Sequence, residues 1–255
     1  MKLMFIGDVV SKQGCEFLAK HIFALKKEYE ADILCINGEN SASGNGITKA
    51  SLDMLLSCGA DVITTGNHSF QRRDSVHIYD EYDYLLRPIN YPDGVIGKGM
   101  YILDTGKTQI AFINAMGVVY LEPIDNPFTA IDKALLEIDT PNIFVDFHAE
   151  ATAEKKCMGH YLTGRVTGVF GTHTHVQTAD EMILDDHTAY ITDVGMTGPE
   201  RSVLGVDSDI ATSKMRLHYP VMFKESSNPC FINGVVVDFD EKTGKARDIK
   251  RIIKR

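Results

Sequence analysis

Five short apolar runs in this chain each end in a side chain that can bind a cation. Leu3–Ile6 runs into Gly7-Asp8, and Ile33–Ile36 into Asn37-Gly38-Glu39-Asn40. Val62–Thr64 leads to Gly66-Asn67-His68, and Ile143–Phe147 to His148. Val166–Phe170 leads to Gly171-Thr172-His173-Thr174-His175. Carboxylate, amide and imidazole groups without a cysteine suit Fe, Mn or Zn rather than a thiolate zinc site. In extended backbone, the spacing of His173 and His175 would turn both rings to one face.

Taken singly, each piece has an ordinary explanation. Asp8 could cap the helix that follows it. Glu39 and Asn40 could be turn residues. Asn67-His68 could enter a helix, and His148 could be a core histidine. The coincidence of all five at the ends of apolar runs favours one shared site. The remaining histidines, His21, His77, His160, His187 and His218, carry no such motif and are expected outside it.

The elements that must position these groups alternate. A helix from Cys15 to Tyr29 is expected after the first strand, because Phe17, Leu18, Ile22 and Leu25 recur on one side. A second is expected over Lys49–Cys58, with Thr48 as N-cap and Gly59 as stop. Asp74–Leu86 reads as helical up to Pro88, and Ala151–Met158 as a helix closed by Gly159. Ile110–Asn114 and Ala189–Thr192 are further strands. The segment GVVVDFDEKTGKARDIKRII is a hairpin with a Thr-Gly turn. In open α/β sheets, ligands bind at the carboxyl ends of strands, which is where the polar groups fall. The expected architecture is α/β with a central sheet or pair of sheets, as a single domain over 1–255.

The 255 residues carry a net charge of −9, and the sequence pI is near 5.4. That balance disfavours a duplex DNA binder. A small anionic substrate remains compatible, because bound metals can reverse the local field. The basic stretch Lys242–Arg255 reads as a solvated last strand. Five cysteines without a Cys-x-x-Cys pair read as reduced thiols. The start, MKLMFIGDVV, is a first strand rather than a signal peptide, and no window is long and apolar enough to span a membrane. A cytoplasmic location is the expectation.

The pattern Gly-Asp, Gly-Asn-His and Gly-x-His-x-His resembles the calcineurin-like metallophosphoesterases. The segments GDVVSKQG, INGENSASGNGIT, TTGNHSF, DFHAEATAEK, GRVTGVFGTHTHVQTADE and YITDVGMTGPERSVLG are similar to one branch, the YmdB-type phosphodiesterases. The likeness runs from Met1 to the C-terminal hairpin. Val10 stands where many superfamily members have histidine, and Glu39 where many have aspartate; in the branch, an asparagine at the position of Asn40 takes the missing ligand's place.

The resemblance implies two mixed β-sheets flanked by helices. It implies one metal held by Asp8, Glu39, Asn40 and His175, and a second held by Glu39, Asn67, His148 and His173, with Glu39 bridging. His68 would lie beside the metals without ligating them. Iron, or alternatively manganese or zinc, would fill the sites. The implied activity is hydrolysis of small phosphodiesters such as 2′,3′-cyclic AMP, and a homo-oligomer is implied as well. Attack would come from a hydroxide held between the metals. His68 is the expected general acid, its alternative role being to hydrogen-bond a ligand. The Gly-rich stretch Thr192–Val206 is expected to face substrate, with Arg201 as a candidate contact. A phosphomonoesterase or nucleotidase, and a nucleotide-binding regulator with little turnover, are the competing readings.

Overall fold

Hydrophobic side chains alternate along the strands, and the alternation builds four layers. In the computed structural model, which describes residues 1–255, the elements begin with β1 (Lys2–Ile6), β2 (Asp8–Val9), α1 (Ser11–Tyr29), β3 (Ile33–Asn37), α2 (Lys49–Ser57), β4 (Val62–Thr64), α3 (Ile78–Glu81) and β5 (Leu85–Leu86). They continue with β6 (Met100–Asp104), β7 (Gln109–Met116), α4 (Pro127–Leu135), β8 (Ile143–His148), α5 (Thr152–Leu162), β9 (Gly168–Thr172) and β10 (Met182–Leu184). The last are β11 (Thr188–Ile191), β12 (Met196–Pro199), α6 (Ser208–Leu217), β13 (Cys230–Phe239) and β14 (Ala246–Lys254).

One mixed sheet has eight strands in the order β2-β12-β13-β1-β3-β4-β5, with β14 paired to β13. The other has six, in the order β10-β11-β9-β8-β7-β6. Leu3 and Phe5 of β1 face the second sheet, in a core shared with Phe112, Phe144 and Phe170. Met4 and Ile6, one residue out of phase, bury themselves with Leu18 and Ile22 of α1 and Leu52 and Leu55 of α2. On the far side, Val145 and Phe147 of β8 meet Ile131 of α4 and Met158 and Leu162 of α5. The period of two is what lets each strand serve two cores. Fully burying one such Leu, Ile or Phe contributes roughly 1.5–3 kcal/mol. This is the pair of mixed, helix-flanked sheets that the family resemblance implies.

Several local expectations need correction. Asp74–Leu86 is not one helix. It holds a single 3-10 turn at Arg73–Ser75, the four-residue α3 and strand β5, which pairs with β4. Leu85 and Leu86 are both fully buried, so sheet pairing overrides helical periodicity there. Gly159 lies inside α5 rather than after it, and its missing Cβ leaves room for the Tyr190 ring. The strand expected at Val166–Phe170 is shifted to Gly168–Thr172. Helices α4 and α6 and strands β6, β10 and β12 were not anticipated. Thr48 does cap α2, through a reciprocal pair of hydrogen bonds with Ser51. The hairpin β13–β14 has Thr243-Gly244 in its turn. All five cysteines are free, and only Cys157 is exposed.

Candidate metal centre

The inter-sheet face changes from apolar to polar at the carboxyl ends of the strands. Along β8 the inward series is Phe144, Asp146, His148. Along β3 it is Cys35, then Asn37, with Glu39 just beyond the strand. Phe170 gives way to Thr172 on β9, and Val62 to Thr64 on β4. Asp8, Glu39 and His148 converge there without solvent exposure. The donor atoms of Glu39, His148 and His173 lie within 4.8 Å of one another, and so do those of Asp8, Glu39 and His175.

The hydrogen bonds assign each ring a free nitrogen. Thr172 Oγ1 donates its one proton to Asp146 at 2.7 Å, so it must accept from His148 Nδ1–H, 2.9 Å away. His173 Nε2 lies 3.0 Å from the Glu150 carboxylate, whose charge favours the proton on that nitrogen. His175 Nδ1–H donates to the Leu204 carbonyl at 3.3 Å. The remaining nitrogens carry lone pairs. His148 Nε2 then stands 3.1 Å from His173 Nδ1, 3.0 Å from Glu39 Oε2 and 2.9 Å from Asn67 Oδ1. With His148 neutral these are four acceptors facing one another, an arrangement that a proton on His148 or a bound cation satisfies.

On the other side, Asp8 Oδ1 is buried and has no hydrogen-bond partner, while Oδ2 accepts from the His173 backbone N–H at 3.0 Å. An unpartnered buried carboxylate oxygen is costly, and a metal is the partner that fits it. The Asn40 amide nitrogen donates to Glu39 Oε1 at 2.7 Å and lies 3.3 Å from His175 Nε2. An amide flip exchanges that nitrogen for oxygen and turns the amide N–H group to His68 Nδ1, which then accepts. The donor set therefore fits two transition-metal ions.

The electrostatics agree. Burial pushes the Asp8 carboxyl up to about 7, in spite of His148. Burial opposes the His148 cation, but the Glu39, Asp8 and Asp146 carboxylates outweigh it and raise His148 to about 9. Burial and the neighbouring His148 push His173 down to about 3. The buried carboxylates thus demand positive charge from whatever stands beside them.

The expectation of extended backbone at His173 and His175 is wrong. Both lie beyond β9, with φ of 97° and 64°. They converge because a loop turns them, and Asp193 holds that loop. Its carboxylate accepts from Thr174 N–H at 3.1 Å, from Thr174 Oγ1 at 2.7 Å and from the buried Lys155 at 2.6 Å. Asp8 does not cap α1, whose N-cap is Val10 without a side-chain bond. Gly66 is obligatory, since a Cβ would collide with the His148 ring and the Glu39 carboxylate.

His68 is part-exposed, and its Nδ1 lies 2.9 Å from Asn40 Oδ1 and 3.2 Å from Glu39 Oε1. The stretch Thr192–Val206 reaches the cluster through the Leu204 carbonyl. The Arg201 side chain is exposed and only its carbonyl is engaged, by Ser226 and Asn228. The other five histidines stay outside both groups of convergent donors. Thr172, Asp146, Glu150, Asp193 and Lys155 were not singled out from the sequence. The inward period of two along β8 and β9 marks Asp146 and Thr172, whereas nothing local marks Asp193.

The family description "YmdB-like protein" matches residues 4–252. The chain belongs to the YmdB-like family. It is 43% identical over 255 residues, 99% of this chain and 97% of the relative, to a Bacillus subtilis (strain 168) protein named 2′,3′-cyclic-nucleotide 2′-phosphodiesterase. Among solved structures, a hypothetical protein from Thermus thermophilus superposes with a TM-score of 0.93 at 34% identity, covering 99% of this chain and 98% of that one. A Mycoplasma pneumoniae structure described as a novel phosphatase superposes with a TM-score of 0.94 at 33% identity, covering 99% and 92%. No helix of this YmdB-like chain is long and apolar enough to cross a membrane.

Proposed function

We propose that this chain is a metal-dependent phosphoric diester hydrolase acting on small phosphodiesters, with 2′,3′-cyclic nucleotides such as 2′,3′-cyclic AMP as its substrate class. The observation that carries the reading is the buried set of acceptors around Glu39, in which two groups of donors share one carboxylate. The name of the Bacillus subtilis relative supports the substrate class. Residues 1–255 act as one domain in this account.

One metal would be held by Asp8, Glu39, Asn40 and His175, and the other by Glu39, Asn67, His148 and His173. Iron is the proposed metal, with manganese or zinc as alternatives. When bound, such a pair polarises phosphoryl oxygens and makes water a nucleophile at neutral pH. The chain's own residues do the rest. Thr172, Glu150 and the Leu204 carbonyl fix which imidazole nitrogen faces the centre. Asn67 and Asn40 supply neutral oxygens, which leave more positive charge for the phosphate. Water adds to phosphorus, the bond to the 2′ oxygen breaks, and the leaving oxygen takes a proton from His68 Nε2. His68 Nδ1 is turned to Asn40 and Glu39, which orients the ring for that transfer. The resemblance also favours a cytoplasmic homo-oligomer.

Parallel assays test the reading. Turnover of 2′,3′-cyclic AMP and bis-p-nitrophenyl phosphate should exceed that of p-nitrophenyl phosphate. A reversed preference would make the chain a phosphomonoesterase. Tight nucleotide binding with no turnover of any ester would make it a regulator.

A further inference from the structure

The loop from β7 to α4, residues 117–126, borders the candidate metal centre and is tethered at both ends. Gly117 N–H donates to the His148 carbonyl at 2.9 Å. The next two amides, of Val118 and Val119, donate to the Glu154 carboxylate at 2.9 and 3.3 Å. Glu154 is a buried acid in the first turn of α5, and holding this loop is its structural task. At the far end, Asp125 N–H donates to the Asn90 carbonyl at 3.1 Å, and Asn90 Nδ2 donates back to the Asp125 carbonyl at 2.9 Å.

Between these anchors stands Tyr120. Its φ is 65°, a left-handed conformation, and its side chain is 87% exposed. A lone exposed tyrosine is ordinary. A bulky residue locked in a costly backbone conformation, with its ring held out to solvent, is not. Three residues of chain span at most roughly 10 Å, so the Tyr120 backbone lies within that reach of Gly117, whose amide meets the His148 carbonyl. Two more aromatic rings adjoin the loop's anchor at Asn90 and the His68 turn. Tyr91 is part-buried and follows Asn90, whose side-chain amide donates to the Met116 and Asp125 carbonyls on either side of this loop. Phe70, two residues beyond His68, meets the Tyr91 ring edge-on at 5.2 Å.

We infer that Tyr120 is a specificity residue whose ring stacks on the planar base of a nucleotide phosphodiester held at the metal centre. The inference rests on the phosphodiesterase reading. The phosphate binds at the metals and the ribose bridges to the rim, where the base meets a pre-set aromatic surface. Stacking reads a π face rather than a hydrogen-bond pattern, so all four common bases are accepted.

The experiment compares 2′,3′-cyclic AMP with the 2′,3′-cyclic phosphate of methyl ribofuranoside, which keeps the reacting ring and lacks the base. The ratio of their kcat/KM values should fall about tenfold or more in Tyr120→Ala, through KM, and return in Tyr120→Phe. An unchanged ratio, or no recovery with phenylalanine, would overturn the inference. Should the wild-type chain turn over neither diester, the phosphodiesterase reading fails. Calorimetric binding of adenosine 3′-monophosphate then decides the role of Tyr120 by itself. About tenfold weaker binding to Tyr120→Ala supports it, and equal binding refutes it.

Discussion

Lys155 Nζ lies 2.6 Å from Asp193 Oδ2, and each side chain is only 1% exposed. The same carboxylate holds Thr174, the residue between His173 and His175. Removing one member leaves an uncompensated buried charge, which typically costs about 3–5 kcal/mol. Lys155→Met and Asp193→Leu should each lower stability by that order in urea unfolding. The double variant should lose less than the sum, because the charge penalty is then gone. Additive losses would mean that the two charges do not depend on each other.

Glu150 is about half exposed, and its Oε2 lies 3.0 Å from His173 Nε2. Its loss should leave the fold intact and free the imidazole to rotate or change tautomer. Glu150→Ala is expected to weaken metal binding by roughly 10–100-fold. Glu150→Gln, which keeps an acceptor, should recover part of the loss. Titration of the metal-free protein with Mn reads this directly, and equal affinity in wild type and Glu150→Ala would refute the role.

The layers and the ends of the strands could be read in the linear chain because periodicity and strand-end polarity are local. Leu3, Phe5, Met4 and Ile6 sort to two cores by a period of two, and Asp8, Glu39, Asn67 and His148 simply follow apolar runs. The support beneath them could not be read this way. Asp193 reaches Thr174 across 19 residues and Lys155 across 38. The turn of His173 and His175 into left-handed backbone depends on those contacts, so an extended pair was the wrong expectation. The helix expected at Asp74–Leu86 failed for a similar reason. Leu85 and Leu86 pair with β4, a partner that periodicity does not reveal.

Asp180 supplies a pH dependence outside the proposed ligand set. Burial works against its ionisation, but hydrogen bonds from Thr192 and Thr178, together with Lys156, hold its pKa down at about 2. A carboxyl with a folded pKa below its unfolded value of roughly 3.9 stabilises the fold above that value. The contribution fades as pH falls from about 4 towards 2. Asp180→Asn should therefore unfold more readily than wild type at pH 7, by about 1 kcal/mol after solvent screening. The gap should narrow by about pH 3. A gap that stays constant or widens on acidification would contradict the assignment.

His68 is placed to transfer a proton rather than to hold a metal. His68→Ala should keep its metal content and lose roughly 10²–10⁴ in kcat. Near-normal turnover in this variant would remove His68 from the mechanism. Loss of metal together with activity would make it a ligand or a ligand's support.

The central claim, a two-metal centre around Glu39, is tested most directly by counting metals. The protein is purified without chelators, and its metal content is determined by mass spectrometry beside that of Asp8→Ala and Glu39→Ala. About two transition-metal ions per chain are expected in the wild type. Asp8→Ala should keep about one, and Glu39→Ala, which removes the shared carboxylate, should keep fewer still. A wild-type chain that holds no transition metal, and takes up none when offered Fe or Mn, would contradict the account.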